Sequence, residues 1–217
     1  MSKYILIILI LITTVFCSDI SDTKKVSSNL KTDLKDEKTN RSTELLPEPD
    51  ILERLKGEKS KIDTLVAHKK LKLEVLVKET NKENLALIIN QQWPDNVETT
   101  FNIWRNSEGK IKLIGEFPYS ESGDWNIGYA HYFENKGRTF SFERKTNFLN
   151  SICTDGVAYE IIVEFYNSDF NRVDRIYYLV DENNKELVKK DCTLNYDYPY
   201  KVSNNLKSYL KRINYGS

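Results

Sequence analysis

The sequence has few of the side chains from which catalytic and metal sites are built. Among 217 residues there are only two histidines, His68 and His131, so a Ser/His/Asp triad would depend on one of these imidazoles. His131 lies among aromatic residues in the alternating segment IGYAHYF, and we expect a packed histidine rather than a general base. Cys-x-x-Cys and His-Glu-x-x-His do not occur. We therefore predict no catalytic residue, no metal site and no cofactor.

An excess of one charge is also lacking. The 32 basic residues equal the 32 acidic residues, and the formal net charge is +0. Nucleic-acid binding depends on Lys and Arg side chains that neutralise phosphates, so we predict no nucleic-acid partner. The segment DENNKE, residues 181–186, has oxygen ligands but lacks the glycine and distal glutamate of a calcium loop. We interpret it as a hairpin turn.

Carboxylates are abundant, which leaves one enzymatic alternative open. Pairs such as Glu116 with Glu121, or Asp124 with Glu143, could flank a glycosidic bond if the fold brought them together. A carboxylate-dependent exported hydrolase is therefore the alternative to a non-catalytic protein.

Long apolar runs are missing as well. The longest, residues 4–12, is shorter than the ~20 residues that a membrane-spanning helix needs. It follows the basic residue Lys3 and precedes a short stretch that ends in polar residues, which is the layout of a secretory signal. We predict a signal peptide over residues 1–16 and an exported mature protein.

Two cleavage positions are open at the end of this run. Cleavage after Cys17 puts Val15 and Cys17 at the two recognition positions and gives a plainly secreted protein. Cleavage before Cys17 makes it the lipid-bearing N-terminus of a lipoprotein, with Phe16 where Gly, Ala or Ser is usual. Residues 18–40 are polar and of mixed charge, as in a solvated tether. This layout favours Cys17 as lipid anchor, with residues 17–47 as anchor and tether.

The cysteine count agrees with the lipid anchor. An exported chain with three cysteines leaves one thiol unpaired. If Cys17 carries lipid, Cys153 and Cys192 remain as an even pair, and an oxidising compartment favours a disulfide between them. The alternative is that both are reduced and buried as small hydrophobic residues.

Residues 48–217 are predicted to form a single globular α+β domain, in which N-terminal helices pack on a mainly antiparallel sheet. Apolar residues at spacings of three and four, after a cap at Asp50, predict the first helix. LKLEVLV, residues 71–77, also alternates as a strand. NKENLALIINQQWP predicts a second short helix, and NNLKSYLKRI predicts a short C-terminal helix.

From Val97 onward the apolar period becomes two. Three hairpins are predicted, which join TTFNIWR to KIKLIGEF, IGYAHYF to RTFSFER, and RVDRIYYLV to KELVKKD. Gly109, Gly137 and Asn184 occupy turn positions where a positive φ is most often needed. With the strand GVAYEIIVEFYN, these segments predict a β meander.

One connection is longer than a turn requires. The loop PYSESGDWNIG, residues 118–128, contains Tyr119 and Trp125. Loops on a rigid sheet often carry function, and these two rings are candidates for stacking on a sugar or clamping a peptide. The alternative is that Trp125 folds back over the sheet edge.

The segments EFPYSESGDWNIGYAHYF and FSFERKTNFLNSICTDGVAYE resemble a family of Gram-negative lipoproteins whose cysteines fall at positions like Cys153 and Cys192. The resemblance covers about residues 86–213. It implies an envelope location and a β-rich domain with paired cysteines, and it implies no activity. We therefore expect an envelope-anchored binding or structural module that faces the periplasm or the cell surface. Its expected partners are the membrane, through the lipid, and an envelope protein or glycan.

Overall fold

The computed structural model describes residues 48–123, 125–194 and 200–216. The predicted signal peptide and Cys17 with its tether lie outside these ranges. Within them, no helix is both long and apolar enough to cross a membrane.

Two helices and eight strands make up the regular structure of the described ranges. The helices are α1 (Glu48–Ala67) and α2 (Leu206–Arg212). The strands in chain order are β1 (Lys72–Glu79), β2 (Ala86–Leu87), β3 (Val97–Arg105), β4 (Ile111–Pro118), β5 (Trp125–Phe133), β6 (Thr139–Phe148), β7 (Ala158–Tyr166) and β8 (Arg172–Val180). They form one antiparallel sheet in the order β2-β1-β3-β4-β5-β6-β7-β8. The predicted antiparallel meander with a short C-terminal helix is confirmed.

The first face of the sheet packs against α1. Leu55 and Ile62, seven residues apart on one side of the helix, are buried there. The sheet residues buried in this cluster are Leu113, Tyr132, Phe140, Val163 and Phe165. Gly57 does not interrupt the helix.

Polar contacts show how α1 is oriented on this face. Lys56 lies 3.5 Å from Asp174 of β8, and Lys59 lies 2.6 Å from Glu143 of β6. The Tyr132 hydroxyl of β5 donates a 2.7 Å hydrogen bond to Asp63. Successive turns of α1 thus meet β8, β6 and β5, so the helix runs across the strands. These contacts lie toward the end of the sheet with the tight turns after β3, β5 and β7, which we call the turn end.

The second face packs against the chain's C-terminal part. Tyr209 of α2 and Ile213 are buried in a cluster with Leu76, Phe101, Ile103, Ile111, Ile114 and Phe133. A third cluster of Ile127, Tyr129, Phe142 and Tyr166 is covered by Tyr200 and Val202. Asn205 caps α2, since its side chain accepts a 2.9 Å hydrogen bond from the backbone N–H of Ser208. The sheet therefore carries α1 on its first face and the residues around α2 on its second face.

The predicted second helix is wrong. Residues 81–93 form turns and the short edge strand β2, in which Leu87 pairs with Leu76. Positive φ values at Asn81 (63°) and Asn90 (54°) are incompatible with a continuous helix. The apolar run between them is too short for periodicity to distinguish helix from strand. The alternative reading of residues 71–77 as a strand is confirmed by β1.

The first two predicted hairpins are confirmed as β3 with β4 and β5 with β6, and the third only in part. After β8 the chain makes one isolated bridge, between Val180 and Glu186, and then a 3-10 turn at Lys189–Asp191. The predicted return strand does not form. The predicted positive φ is confirmed at Gly109 (77°), Gly137 (78°) and Asn184 (61°).

Candidate functional site

The predicted disulfide between Cys153 and Cys192 is present, with the two Cα atoms 4.6 Å apart. It joins the loop after β6 to the segment after β8. Both lie at the end of the sheet opposite the turn end, which we call the loop end. The bond fixes the chain beyond β8 to this end.

A cleft of about 480 Å³ lies beside the disulfide and is lined by Asp155, Asp181 and Glu182 among others. The Asp181 carboxylate accepts backbone N–H groups of Asn183 and Lys185, at 2.8 and 2.9 Å. Asp181 therefore shapes the turn that the sequence predicted at residues 181–186. In the described part of the chain, no group of three or more His, Cys, Asp or Glu side chains is placed to hold a metal ion.

The first acidic pair considered for hydrolysis, Glu116 with Glu121, is not brought together. Alternation along the strands places Glu116 on the second face and Glu143 on the first. Glu121 is exposed in the loop after β4, and Asp124 lies outside the described residues. The structure thus does not offer Glu116 and Glu121 as a facing acid and base, and the other pair includes a residue outside the described ranges.

Glu116 is instead held by three donors from the C-terminal segment. The hydroxyls of Tyr200 and Tyr209 donate to its Oε2 at 2.8 and 2.9 Å, and Nη2 of Arg212 lies 2.7 Å from the same oxygen. Burial, followed by the nearby Glu116 carboxylate, raises the pKa of both tyrosines, so they remain protonated donors. Glu116 therefore fastens the C-terminal segment to the sheet.

Glu143 has a similar structural role under α1. Burial by itself raises its pKa, but the ammonium groups of Lys59 and Lys145 lower it below the ordinary value. The carboxylate is therefore ionised and paired with the helix, with Nζ of Lys59 at 2.6 Å.

His131 is a packed histidine, as predicted. Its side chain is fully buried on the second face, and its Nε2 accepts the backbone N–H of Ser203 at 3.2 Å. The rings of Phe142 and Tyr209 contact it edge to face, with centroids 5.1 and 4.7 Å away. Burial, and secondarily the charge of Arg212, lowers the pKa of His131 to about 3. The imidazole is neutral and enclosed, which does not suit a general base.

Trp125 and Tyr119 do not form the predicted loop site. Trp125 is the first residue of β5, paired with Phe148, and it packs half-buried against the third cluster on the second face. The predicted loop therefore ends before Trp125, because β5 begins earlier than the loop composition suggested. The half-buried ring agrees with the alternative in which Trp125 folds back onto the sheet. Tyr119 is 65% exposed directly after β4. Its backbone N–H bonds to the carbonyl of Glu98, which continues the pairing of β3 with β4 by one residue.

The loop half of the first face is not covered by α1. Alternation places six neutral side chains there, none of them fully buried: Asn102, Phe117, Asn126, Asn147, Tyr159 and Tyr178. Alternation also places the exposed Lys145 there, opposite Gly128. We call this surface the open half-face. In the described part of the chain, its aromatic residues belong to none of the three core clusters.

The ring of Phe117 lies flat on this surface because the glycines at two neighbouring positions have no side chain that would occupy its place. A Cβ at Gly115 of β4 would lie 2.9 Å from Cε2 of Phe117, and a Cβ at Gly128 of β5 would lie 2.9 Å from Cε1. Both distances are shorter than real Cβ contacts. The two opposite edges of the ring, at Cε2 and Cε1, thus both lie close to the sheet. The ring is therefore roughly parallel to the sheet, with one face toward it and the other face outward.

Three carboxamides surround this ring. Asn102 of β3 is opposite Gly115, and Asn126 of β5 is opposite Asn147 of β6. All three side chains are half-buried, and none makes a hydrogen bond to another described residue. Their donors and acceptors are thus available to a ligand.

Sequence reasoning missed the open half-face, although one signal pointed to it. Gly115 and Gly128 interrupt otherwise bulky strands, and a glycine inside a strand often marks a place where another group approaches closely.

Comparison of the chain with protein-family models, with curated proteins and with solved structures finds no match. The candidate site therefore rests on the geometry of the open half-face.

Proposed function

We propose that this chain is an envelope-anchored binding module, lipidated at Cys17, that captures a ligand on its open half-face. The observation that carries the proposal is Phe117, a half-buried ring for which two strand glycines leave room to lie flat against the sheet. An aromatic ring in a fixed orientation gives contact area at a low cost in side-chain entropy. It is therefore suited to ligand contact.

The envelope location is supported by the N-terminal sequence. A basic residue, an apolar run, Cys17 and a polar segment follow one another as in a lipoprotein. The resemblance of residues 86–213 to Gram-negative lipoproteins agrees with this location. The module would then face the periplasm or the cell surface, held at a distance by its polar tether.

Binding is favoured over hydrolysis because the buried carboxylates are already engaged in ion pairs. Glu116 and Glu143, one from each predicted pair, are both occupied by structural ion pairs, at 2.7 Å to Arg212 and 2.6 Å to Lys59. Neither carboxylate reaches the open half-face as a free acid or base. The open half-face itself offers rings and carboxamides, which bind ligands without reacting with them.

Co-sedimentation of the full-length protein with a purified cell-envelope preparation tests the binding function. Phe117→Ala is expected to reduce the bound fraction at least tenfold. Val188→Ala is the matched control, because Val188 is a similarly exposed apolar residue in the segment after β8. Circular dichroism verifies that both variants are folded. Equal binding by the two variants would contradict the proposal.

Fractionation of cells that express Cys17→Ser tests the anchor. Stable membrane attachment needs two or more acyl chains, and the Cys17 thiol is where a diacylglycerol would be joined. The variant is expected in the soluble fraction or as an unprocessed precursor, whereas Ser18→Ala stays with the membrane. A Cys17→Ser protein that remains in the membrane fraction with unchanged mobility would contradict lipidation.

A further inference from the structure

We infer that the ligand of the open half-face is an uncharged oligosaccharide. This inference rests on the proposed binding function and names its ligand class. It follows from four properties of the surface: a flat aromatic ring, unpaired carboxamides, a cation that is already paired with a carboxylate, and the position of the surface in the interior of the sheet.

The ring of Phe117 provides a stacking surface. A pyranose ring presents several C–H groups on one face, and these pack well on the face of an aromatic ring. Because Gly115 and Gly128 leave space below the ring, Phe117 presents its face rather than its edge. The ring is thus oriented for stacking before any ligand arrives.

The carboxamides supply the polar part of sugar recognition. A sugar hydroxyl both donates and accepts hydrogen bonds, and an Asn side chain offers two donors and an acceptor. Asn102 lies on β3, on one side of Phe117, while Asn126 and Asn147 pair across β5 and β6 on the other side. Hydroxyl groups around a stacked sugar can therefore be bound from two directions.

Charge argues against anionic ligands. Six side chains of the open half-face are neutral, and Lys145, which lies on the same face opposite Gly128, is paired with Glu143 at 3.4 Å. Recognition of a phosphate or carboxylate depends on Arg or Lys groups placed for it. A lipid headgroup phosphate or an acidic peptide would have to compete with Glu143 for this lysine.

The position of the surface argues against an extended peptide. A peptide that adds to a sheet bonds to the unpaired backbone groups of an edge strand. Phe117 and the three asparagines stand on β3 to β6, none of which is an edge strand. The pairing of β4 with β5 ends at Glu116 and Tyr129, but the two strands flank each other beyond this point and leave no open edge. This position suits a ligand that is bound by side chains.

The arrangement indicates more than one sugar unit. Tyr159 lies on β7, opposite Asn147, and Tyr178 on the edge strand β8 is 52% exposed. With strands about 4.8 Å apart, Phe117 and these tyrosines are roughly 14–19 Å apart across the sheet. A chain of several sugars running across the strands can therefore contact aromatic rings at both ends and carboxamides between them.

Isothermal titration of the full-length protein with neutral hexose and N-acetylhexosamine hexasaccharides tests the inference. We expect at least one to bind, with Phe117→Ala weakening it at least tenfold and Asn147→Ala threefold or more. Tyr178→Ala is expected to weaken a hexasaccharide more than the disaccharide of the same sugar. Val188→Ala is the control, and thermal melts verify that each variant is folded.

Each failure has its own meaning. If no neutral oligosaccharide binds at millimolar concentration while the envelope preparation still binds through Phe117, the ligand class is wrong and the binding function stands. If charged peptides or phosphate-bearing lipid vesicles bind and no oligosaccharide binds, the inferred ligand class is also wrong. If an oligosaccharide binds Phe117→Ala as tightly as the wild type, the sugar binds elsewhere on the protein. That result also overturns the inferred ligand of the open half-face. If neither sugars nor envelope bind, both proposals fail.

Discussion

The backbone N–H of Ser203 donates a 3.2 Å hydrogen bond to Nε2 of His131, across 72 residues of sequence. The acceptor is an imidazole whose pKa is lowered from 6.5 to about 3 by burial and by the charge of Arg212. The C-terminal segment is thus held to the sheet by a histidine that accepts this bond only while it is neutral.

Acid should therefore destabilise the fold through His131. Between pH 6.5 and about 3, the unfolded chain binds a proton at this residue that the folded chain does not, so the free energy of unfolding falls as the pH falls. The slope approaches about 1.4 kcal/mol per pH unit well below pH 6.5, and the loss from pH 6.5 to 4.5 is about 2 kcal/mol. Urea unfolding at a series of pH values measures it.

The variant His131→Gln separates this effect from other acid effects. It should be less stable at neutral pH but should lose less stability between pH 6.5 and 4.5. His68→Gln is the control, because His68 is exposed just beyond α1. Parallel pH profiles for the wild type and His131→Gln would show that His131 is not the titrating group.

Arg212→Ala should destabilise the protein by roughly 2–3 kcal/mol, because it removes a charge-assisted hydrogen bond to Glu116, whose side chain is only 11% exposed. Arg175→Ala provides the comparison. Arg175 lies 3.6 Å from Glu164 with half of its side chain exposed, so its loss should cost less than about 1 kcal/mol. Chemical denaturation ranks the two variants, and equal losses would argue against a special role for Glu116.

The disulfide should account for about 3–4 kcal/mol of stability, since it closes a loop with a sequence separation of 39. The double variant Cys153→Ser/Cys192→Ser should lose this amount in urea unfolding. Mass analysis after alkylation without reduction should find neither thiol modified in the mature protein. Two alkylated cysteines would mean that the pair is reduced.

Gly128→Ala should lower stability by about 1–3 kcal/mol, because the new Cβ meets the Phe117 ring at 2.9 Å. Every atom within 4 Å of that Cβ position belongs to the Phe117 side chain. In a Phe117→Ala background the same change should therefore cost close to nothing. A double-mutant cycle by chemical denaturation measures this coupling, and additive losses would contradict the close approach.

Local patterns in the sequence were sufficient for most of the sheet. Alternation and turn residues locate β3 to β8, since strand period and turn chemistry are both local properties. They failed between Leu85 and Ile89, where a short apolar run joins the sheet through pairing with Leu76. That pairing depends on a partner strand, which a single segment does not reveal.

The site was harder to predict because it depends on which face each side chain occupies. Trp125 and Phe117 stand at either side of one loop, yet they lie on opposite faces of the sheet. A strand start two or three residues earlier than expected moves Trp125 from loop to core. The bond from Tyr200 to Glu116 spans 84 residues, and nothing local indicates that the C-terminal segment covers this carboxylate.

The order of strands in the sheet also bears on how the chain folds during its synthesis. From β4 to β8 each strand pairs with the one made just before it, so this part of the sheet can grow strand by strand as the chain emerges. Residues 200–216 are made after the whole sheet, yet they bring the donors for Glu116 and cover the second face. Until they are made, a nascent chain presents an uncovered apolar surface to chaperones and proteases.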